Sequence, residues 1–315
     1  MRWLIRIVIV SVCVAVASSP AAAWWDAGHM QIAYLAYKKL DDTVKDKADA
    51  LLKLNTDYPK WTAGAPDEKT AKLYAFIHAA TWADDIKTKP YGYARDAVTS
   101  PTAGQNIGYS DHYQHAYWHY KDVNFSPDGT SWPASDPVDL VTQLKLMIAA
   151  LPASSNASDD VRSYDLAWIL HLVGDAHQPL HAVSRFTQSI PKGDSGGNAE
   201  SVIPATGETV ILHAYWDRMF GGYTSSFGAV FDADNKDGLG SVAVNETSAQ
   251  ISDPDAWIQE SAEIAKQFVY APPIGLDKTS VLLTRDYETN ARAVARKQAA
   301  LAAVRLANLL NAALK

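Results

Sequence analysis

The chain has 315 residues with 28 Lys and Arg against 35 Asp and Glu, a formal charge of −7. That balance excludes a protein that coats nucleic acid through basic patches alone, so work on phosphates would need positive charge from another source, such as bound metal ions. Its single cysteine excludes an internal disulfide framework, leaving the apolar core, metals or both to stabilise the fold.

The first 23 residues read as a secretory signal. Arg2 and Arg6 start it, an apolar run follows, and Ala21-Ala22-Ala23 place a cleavage site before Trp24. The competing reading, a membrane anchor, is disfavoured by the "SSPAAA" end of the run. Cys13, the only cysteine, leaves with this segment. The expected location is secreted or periplasmic, in a bacterial cell, with no membrane attachment after cleavage. Helical periodicity then appears over 30–40, 42–54 and 70–87. "SDPVDLVTQLKLMIAAL" predicts a helix with Asp136 as N-cap and Pro137 in its first turn. A further helix is expected over 159–184, another from the Asp-Pro start at 253–254, and a long closing helix over 280–313. Residues 88–116, 121–136 and 186–199 read as loops, and "SVIPATGETVIL" at 201–212 as a short hairpin. The predicted fold class is all-α: one compact multi-helix domain over 24–315, with at most one short β-hairpin.

The helix predicted over 159–184 carries "HLVGDAHQPLH", three histidines and an aspartate in an otherwise apolar stretch. His171 and Asp175 are four apart and share one helix face. Pro179 disfavours continuation of the helix and could aim His181 at a neighbouring centre. A His–Asp hydrogen bond in a polar core would explain one such pair; a metal site would explain the whole cluster. "ILHAYWDRMF" repeats the spacing with His213 and Asp217. The terminus exposed by cleavage, "WWDAGHM", offers the Trp24 α-amine and His29, and a free α-amine with a pKa near about 8 deprotonates easily enough to bind a metal. Asp84 in "TWADDIK" and His119 in "YWHYKD" are further candidates, although either alone more often reads as structural.

Taken together, "WxxxxH", "WAD", "WHY", "HxxxDxxQPLH", "GGN" and "HxxxWD"-like motifs run in order from Trp24 to Asp217, and the chain resembles the S1/P1 nuclease family of zinc-dependent secreted enzymes. The resemblance implies three zinc ions: one held by Asp84, His119, His171 and Asp175; one by the Trp24 amine and carbonyl, His29 and Asp175; one by His181, His213 and Asp217. It implies hydrolysis of single-stranded DNA and RNA at the P–O3′ bond to 5′-phosphate products, with 3′-nucleotidase activity. The nucleophile would be a hydroxide between two metals, with Asp84 as the catalytic carboxylate. Lys87 would face the phosphate, and Tyr120, Asp122 and Asn198 the base. His78, His112, His115 and His177 match no ligand position, and Asn124, Asn156 and Asn245 match the glycosylation pattern only by chance. The implied partners are nucleic acid and nucleotide substrates, acted on by a monomer. A zinc-dependent phospholipase C and a non-catalytic zinc-binding protein are the alternatives. Phosphatidylcholine would distinguish the first, and metal binding without hydrolysis the second.

Overall fold

The computed structural model describes residues 24–277 and 279–315; the expected signal segment, with Arg2, Arg6 and Cys13, lies outside the described residues. Twelve α-helices are present among the described residues: α1 (Asp26–Tyr37), α2 (Asp42–Leu52), α3 (Tyr58–Trp61), α4 (Glu68–Ala79), α5 (Trp82–Asp85), α6 (Leu140–Ala150), α7 (Asp159–Asp175), α8 (Leu212–Asp217), α9 (Ser226–Asp234), α10 (Glu246–Ala249), α11 (Pro254–Ile264) and α12 (Arg285–Ala313). The expected all-α class holds, in one compact domain. The strands are short: β1 (Val123–Phe125), β2 (Val183–Arg185), β3 (Ser201–Ile203), β4 (Val210–Ile211) and β5 (Val281–Leu282). β3 and β4 form the expected antiparallel hairpin. The structure adds β5, parallel to β3, and a parallel β1–β2 pair with Val123 opposite Val183. Such non-local pairings between short strands leave no periodic trace in the sequence.

α7 is the axis of the molecule. Ser158 caps it by accepting from the Val161 amide, and Asp159 and Asp160 in its first turn complement the helix dipole. Every residue from Ser163 to Asp175 is buried, and α1, α2, α5, α6 and α12 pack around it. A helix apolar all round belongs in a core. α7 is shorter than the predicted 159–184. Pro179 restricts Gln178 to extended backbone (φ −86°, ψ 114°), so the helix stops at Asp175 and a separate 3-10 turn, Pro179–His181, follows. The proline therefore does not bend one helix; it separates two elements, and β2 then carries the chain away.

Other predicted boundaries moved for local reasons, and the closing helix begins at Arg285, capped by Thr284, because Val281 and Leu282 form β5. α6 begins at Leu140, with Asp139 rather than Asp136 as its cap: Asp139 accepts from the Thr142 amide while the Thr142 hydroxyl accepts from the Asp139 amide. The predicted 70–87 helix is broken between α4 and α5, where the Thr81 hydroxyl donates to the His78 carbonyl at 2.9 Å. The break leaves the Ala80 carbonyl free of the helix ladder, and His171 uses it. The α11 start at Asp253-Pro254 stands as predicted.

Candidate metal centre

The last turn of α7 presents His171 and Asp175, with Nε2 and Oδ2 3.3 Å apart and both side chains fully buried. α1 brings His29, whose Nε2 lies 3.3 Å from Asp175 Oδ1 and whose ring stacks on that of His171 at 3.8 Å. Gly174 permits this approach: a Cβ there would come within 2.8 Å of His29 Nδ1. The 3-10 turn Ala116–His119 places His119 Nδ1 3.0 Å from Asp175 Oδ2 and 3.1 Å from His171 Nε2. α5 brings Asp84 Oδ1 to 3.8 Å from both His119 Nδ1 and His171 Nε2. Asp175 thus turns one oxygen to His29 and the other to His119 and His171, which is the arrangement of a carboxylate shared by two centres.

A second cluster lies beside it. The turn after α7 gives His181, and α8 gives His213 and Asp217, with His181 Nε2 and His213 Nε2 3.0 Å apart and His213 Nε2 3.4 Å from Asp217 Oδ2. The hydrogen bonds assign the tautomers. His181 Nδ1 donates to the His119 carbonyl at 2.6 Å, and His213 Nδ1 to the Gly196 carbonyl at 2.7 Å. Gly196 is needed for this acceptor: its φ is +63°, and a Cβ would strike the Leu180 carbonyl. Burial lowers the pKa of His181 to about 4 and that of His213 to about 3, so both are neutral near pH 7. Their Nε2 lone pairs therefore face each other across 3.0 Å, which is repulsive unless a cation lies between them.

The remaining polar atoms point the same way. Both ring nitrogens of His29, His119 Nε2, Asp175 Oδ1 and Asp217 Oδ2 are buried without a hydrogen-bond partner. Orphaned buried groups are costly and call for an unseen partner. Burial opposes ionisation of Asp84 and Asp175, but Lys87, His171 and His119 outweigh it at Asp84, and His171 and His181 lead the groups that do so at Asp175, holding both carboxyls below their ordinary range. Asp217 is pushed well above it by burial, with Asp84 and Asp175 adding to the effect. A bound cation would reverse that direction. The donor set, imidazole nitrogens and carboxylate oxygens on rigid elements, suits zinc. Three overlapping groups can hold an ion: His29, Asp84 and His171; His119, His171 and Asp175; His181, His213 and Asp217.

Trp24 is fully buried at the edge of the centre. Its indole Nε1 donates to the Gly174 carbonyl at 3.0 Å, and its ring meets Phe220 edge-on at 5.2 Å. A cleft of about 230 Å³ opens beside both clusters and is lined by Lys87, Tyr120, Asp122 and Asn198 along with His119, His181 and His213. Lys87 Nζ donates to Asp84 Oδ1 at 2.6 Å. Tyr120 is 36% exposed, enough to present a ring face, and Asn198 turns its amide to the Ser195 carbonyl at 2.8 Å. A larger hollow of about 430 Å³ among Leu35, Val242, Ala300 and Ala303 has no histidine in its walls.

Sequence reasoning missed the groups that hold the candidate ligands. Gln178 donates from Nε2 to Asp217 Oδ1 at 2.7 Å and accepts from the Leu180 amide at 2.6 Å. The carbonyls of Ala80, His119 and Gly196 orient three histidines. Of the histidines given no ligand role, His115 lies between Asp96 and Asp111 and stacks on Trp118 at 3.7 Å, bracing the turn that carries His119. His177 accepts from buried Arg305 at 2.9 Å.

The family model described as S1/P1 Nuclease matches residues 24–315. Nuclease S1 of Aspergillus oryzae is 25% identical over 215 residues, covering 64% of this chain and 58% of that protein. That match therefore spans less than two thirds of the relative. Endonuclease 3 of Arabidopsis thaliana is 26% identical over 329 aligned positions, covering 99% of this chain and 96% of the relative.

Proposed function

The chain belongs to the S1/P1 nuclease family, and from that premise we propose that it is a zinc-dependent phosphodiesterase. It cuts single-stranded DNA and RNA at the P–O3′ bond to leave 5′-phosphates, and it also removes 3′-phosphates from nucleotides. The observation that carries this reading is the pair of neutral histidine lone pairs, with orphaned buried carboxylate oxygens, beside a cleft that has a cation and an exposed aromatic in its wall.

In this reading Asp84, His119, His171 and Asp175 hold one zinc. His29, Asp175 and the Trp24 amine and carbonyl hold a second, and His181, His213 and Asp217 a third. Zinc there would lower the pKa of water and offset the charge that builds on the phosphate. Asp84, kept ionised by Lys87 and the histidines, accepts the proton of the attacking water. Lys87 reaches a phosphate oxygen from the same carboxylate. As the water oxygen bonds to phosphorus the P–O3′ bond breaks, and the proton passes to the departing 3′ oxygen. Tyr120 stacks an unpaired base, which favours single strands without reading sequence. Asp122 and Asn198 take the base edge.

The Trp24 amine is available only if the chain is cut before it, so this reading includes a cleaved signal over 1–23, a secreted or periplasmic location and a soluble monomer. The test compares protein starting at Trp24 with protein carrying one extra residue, counting zinc and following single-stranded DNA and phosphatidylcholine. Three zincs and 5′-phosphate products from the first form, with loss of zinc and activity in the second, are expected. Equal metal in both forms with no cleavage of DNA or RNA would refute it, and cleavage of phosphatidylcholine instead would make it a phospholipase.

A further inference from the structure

α8 connects two hollows. His213, near its start, lines the cleft already described. Asp217, at its end, accepts from the Trp25 backbone amide at 3.1 Å through its carbonyl. The axial distance between those two residues is about 6 Å. On the Trp25 side lies a separate hollow of about 260 Å³, walled by Trp25, Asp26, Gly222, Tyr223 and Thr224. α1 starts at Asp26 in the wall of this hollow and carries His29 into the metal centre within its first turn. The two hollows therefore flank the metal centre, one from Lys87 and His213, the other from Asp26 and Trp25.

The second hollow has the parts of a nucleotide site. Trp25 is half-buried, and Arg218 lies with its guanidinium carbon 4.4 Å from the indole centroid, which fixes the ring. Arg218 is exposed and is not itself in the wall, but it borders the hollow through the Trp25 ring it covers, so its N–H groups face solvent beside it. Tyr223 is held in the opposite wall, its hydroxyl accepting from Gln31 at 2.7 Å. Gly222 leaves the floor open: a Cβ there would meet the Trp25 ring only at ordinary contact, 3.6 Å and 3.7 Å. Asp26 supplies an acceptor for a base edge.

We propose that this hollow is a subsite for the nucleotide on the 3′ side of the scissile phosphate, with its base against Trp25 and its own phosphate on Arg218. The inference rests on the nuclease reading. It gives the strand that keeps the 5′-phosphate a defined seat, so oligonucleotides are held across the centre rather than only at the base cleft. A base stacked on an aromatic and a phosphate on an arginine together suit unpaired nucleic acid and not lipid.

The test uses zinc-loaded protein and three substrates: thymidine 3′-phosphate, the thymidylyl dinucleotide, and an oligothymidylate of eight. Gly222→Val sets side-chain atoms against the Trp25 ring at the floor, its Cβ meeting nothing closer than 3.6 Å, and Arg218→Gln removes the cation. Gly222→Val is expected to lower kcat/KM for the dinucleotide about tenfold relative to the 3′-phosphate, as lost stacking would. Arg218→Gln is expected to lower the octamer-to-dinucleotide ratio. It should also flatten the salt dependence of the octamer KM by about 0.7 in log–log slope, one phosphate contact. Ratios that do not move, or that fall equally on all three substrates, overturn the subsite. A wild-type protein that hydrolyses the 3′-phosphate but not the dinucleotide also overturns it, whereas one that hydrolyses none of the three refutes the nuclease reading itself.

Discussion

Gln178 holds Asp217 through Oδ1 and leaves Oδ2, 3.4 Å from His213 Nε2, without another partner. Groups that orient a ligand typically change metal affinity or activity by about 10- to 100-fold. Gln178→Leu is therefore expected to lower kcat/KM by that amount, with loss of one zinc from the holoprotein measured by metal analysis. Asp122 gives a pH-dependent prediction. Burial first, and then the charges of Asp194 and Asp136, push its carboxyl up to about 7. Below that pH it is neutral and has a proton to donate; above it, it only accepts. Guanine, which offers two donors on its pairing edge, should gain over adenine as pH rises from 6 to 8. The guanine-to-adenine ratio of kcat/KM should be flat across that range in Asp122→Asn. At this scale spacing singled out His171 with Asp175 and His213 with Asp217, because His and Asp four apart on a helix share a face, while Asp84 and His119 took an expected ligand role only from the family resemblance. It did not identify Gln178 as a support, since an amide in a polar turn has many ordinary uses.

Helix breaks do as much for the site as the helices. α4 and α5 separate at Thr81 and release the Ala80 carbonyl to His171 at 2.7 Å. α7 stops at Asp175, so His181 comes from an independent turn and faces His213. Continuous helical periodicity hid both breaks, because the residues on either side are buried alike. α6 offers a stability test on this scale. Its cap is the reciprocal Asp139–Thr142 pair, and Lys121, beside the cleft residues Tyr120 and Asp122, lies 3.3 Å from Asp139. Asp139→Ala should cost about 1 kcal/mol. That corresponds to a fall of about 2–4 °C in Tm by calorimetry. Asp136→Ala, at the cap expected from sequence, should leave Tm within a degree, since Asp136 lies outside the capping pair.

The whole molecule is a cage of helices around polar groups that its own residues leave partly without partners. Asp175 and Asp217 are buried at the centre, and His181 and His213 oppose lone pairs there. Metal binding to the folded state alone adds about 4 kcal/mol per site at a thousandfold excess over Kd. A chelator should therefore lower Tm by about 10 °C or more, and zinc should restore it; an unchanged Tm would mean that the clusters are self-sufficient. The sequence by itself determined the all-α class, the hairpin, the order of the motifs and the residue types at the centre, because these follow from local periodicity and composition. Only the tertiary structure decided which carboxylate oxygen faces which histidine, which backbone carbonyl sets each tautomer, and that Trp25, with Arg218 against its ring, and Tyr223 meet at a second hollow. Those relations join residues far apart in the chain, as Trp25 and Arg218 are, and no local pattern in a chain encodes contacts that exist only once the core has closed.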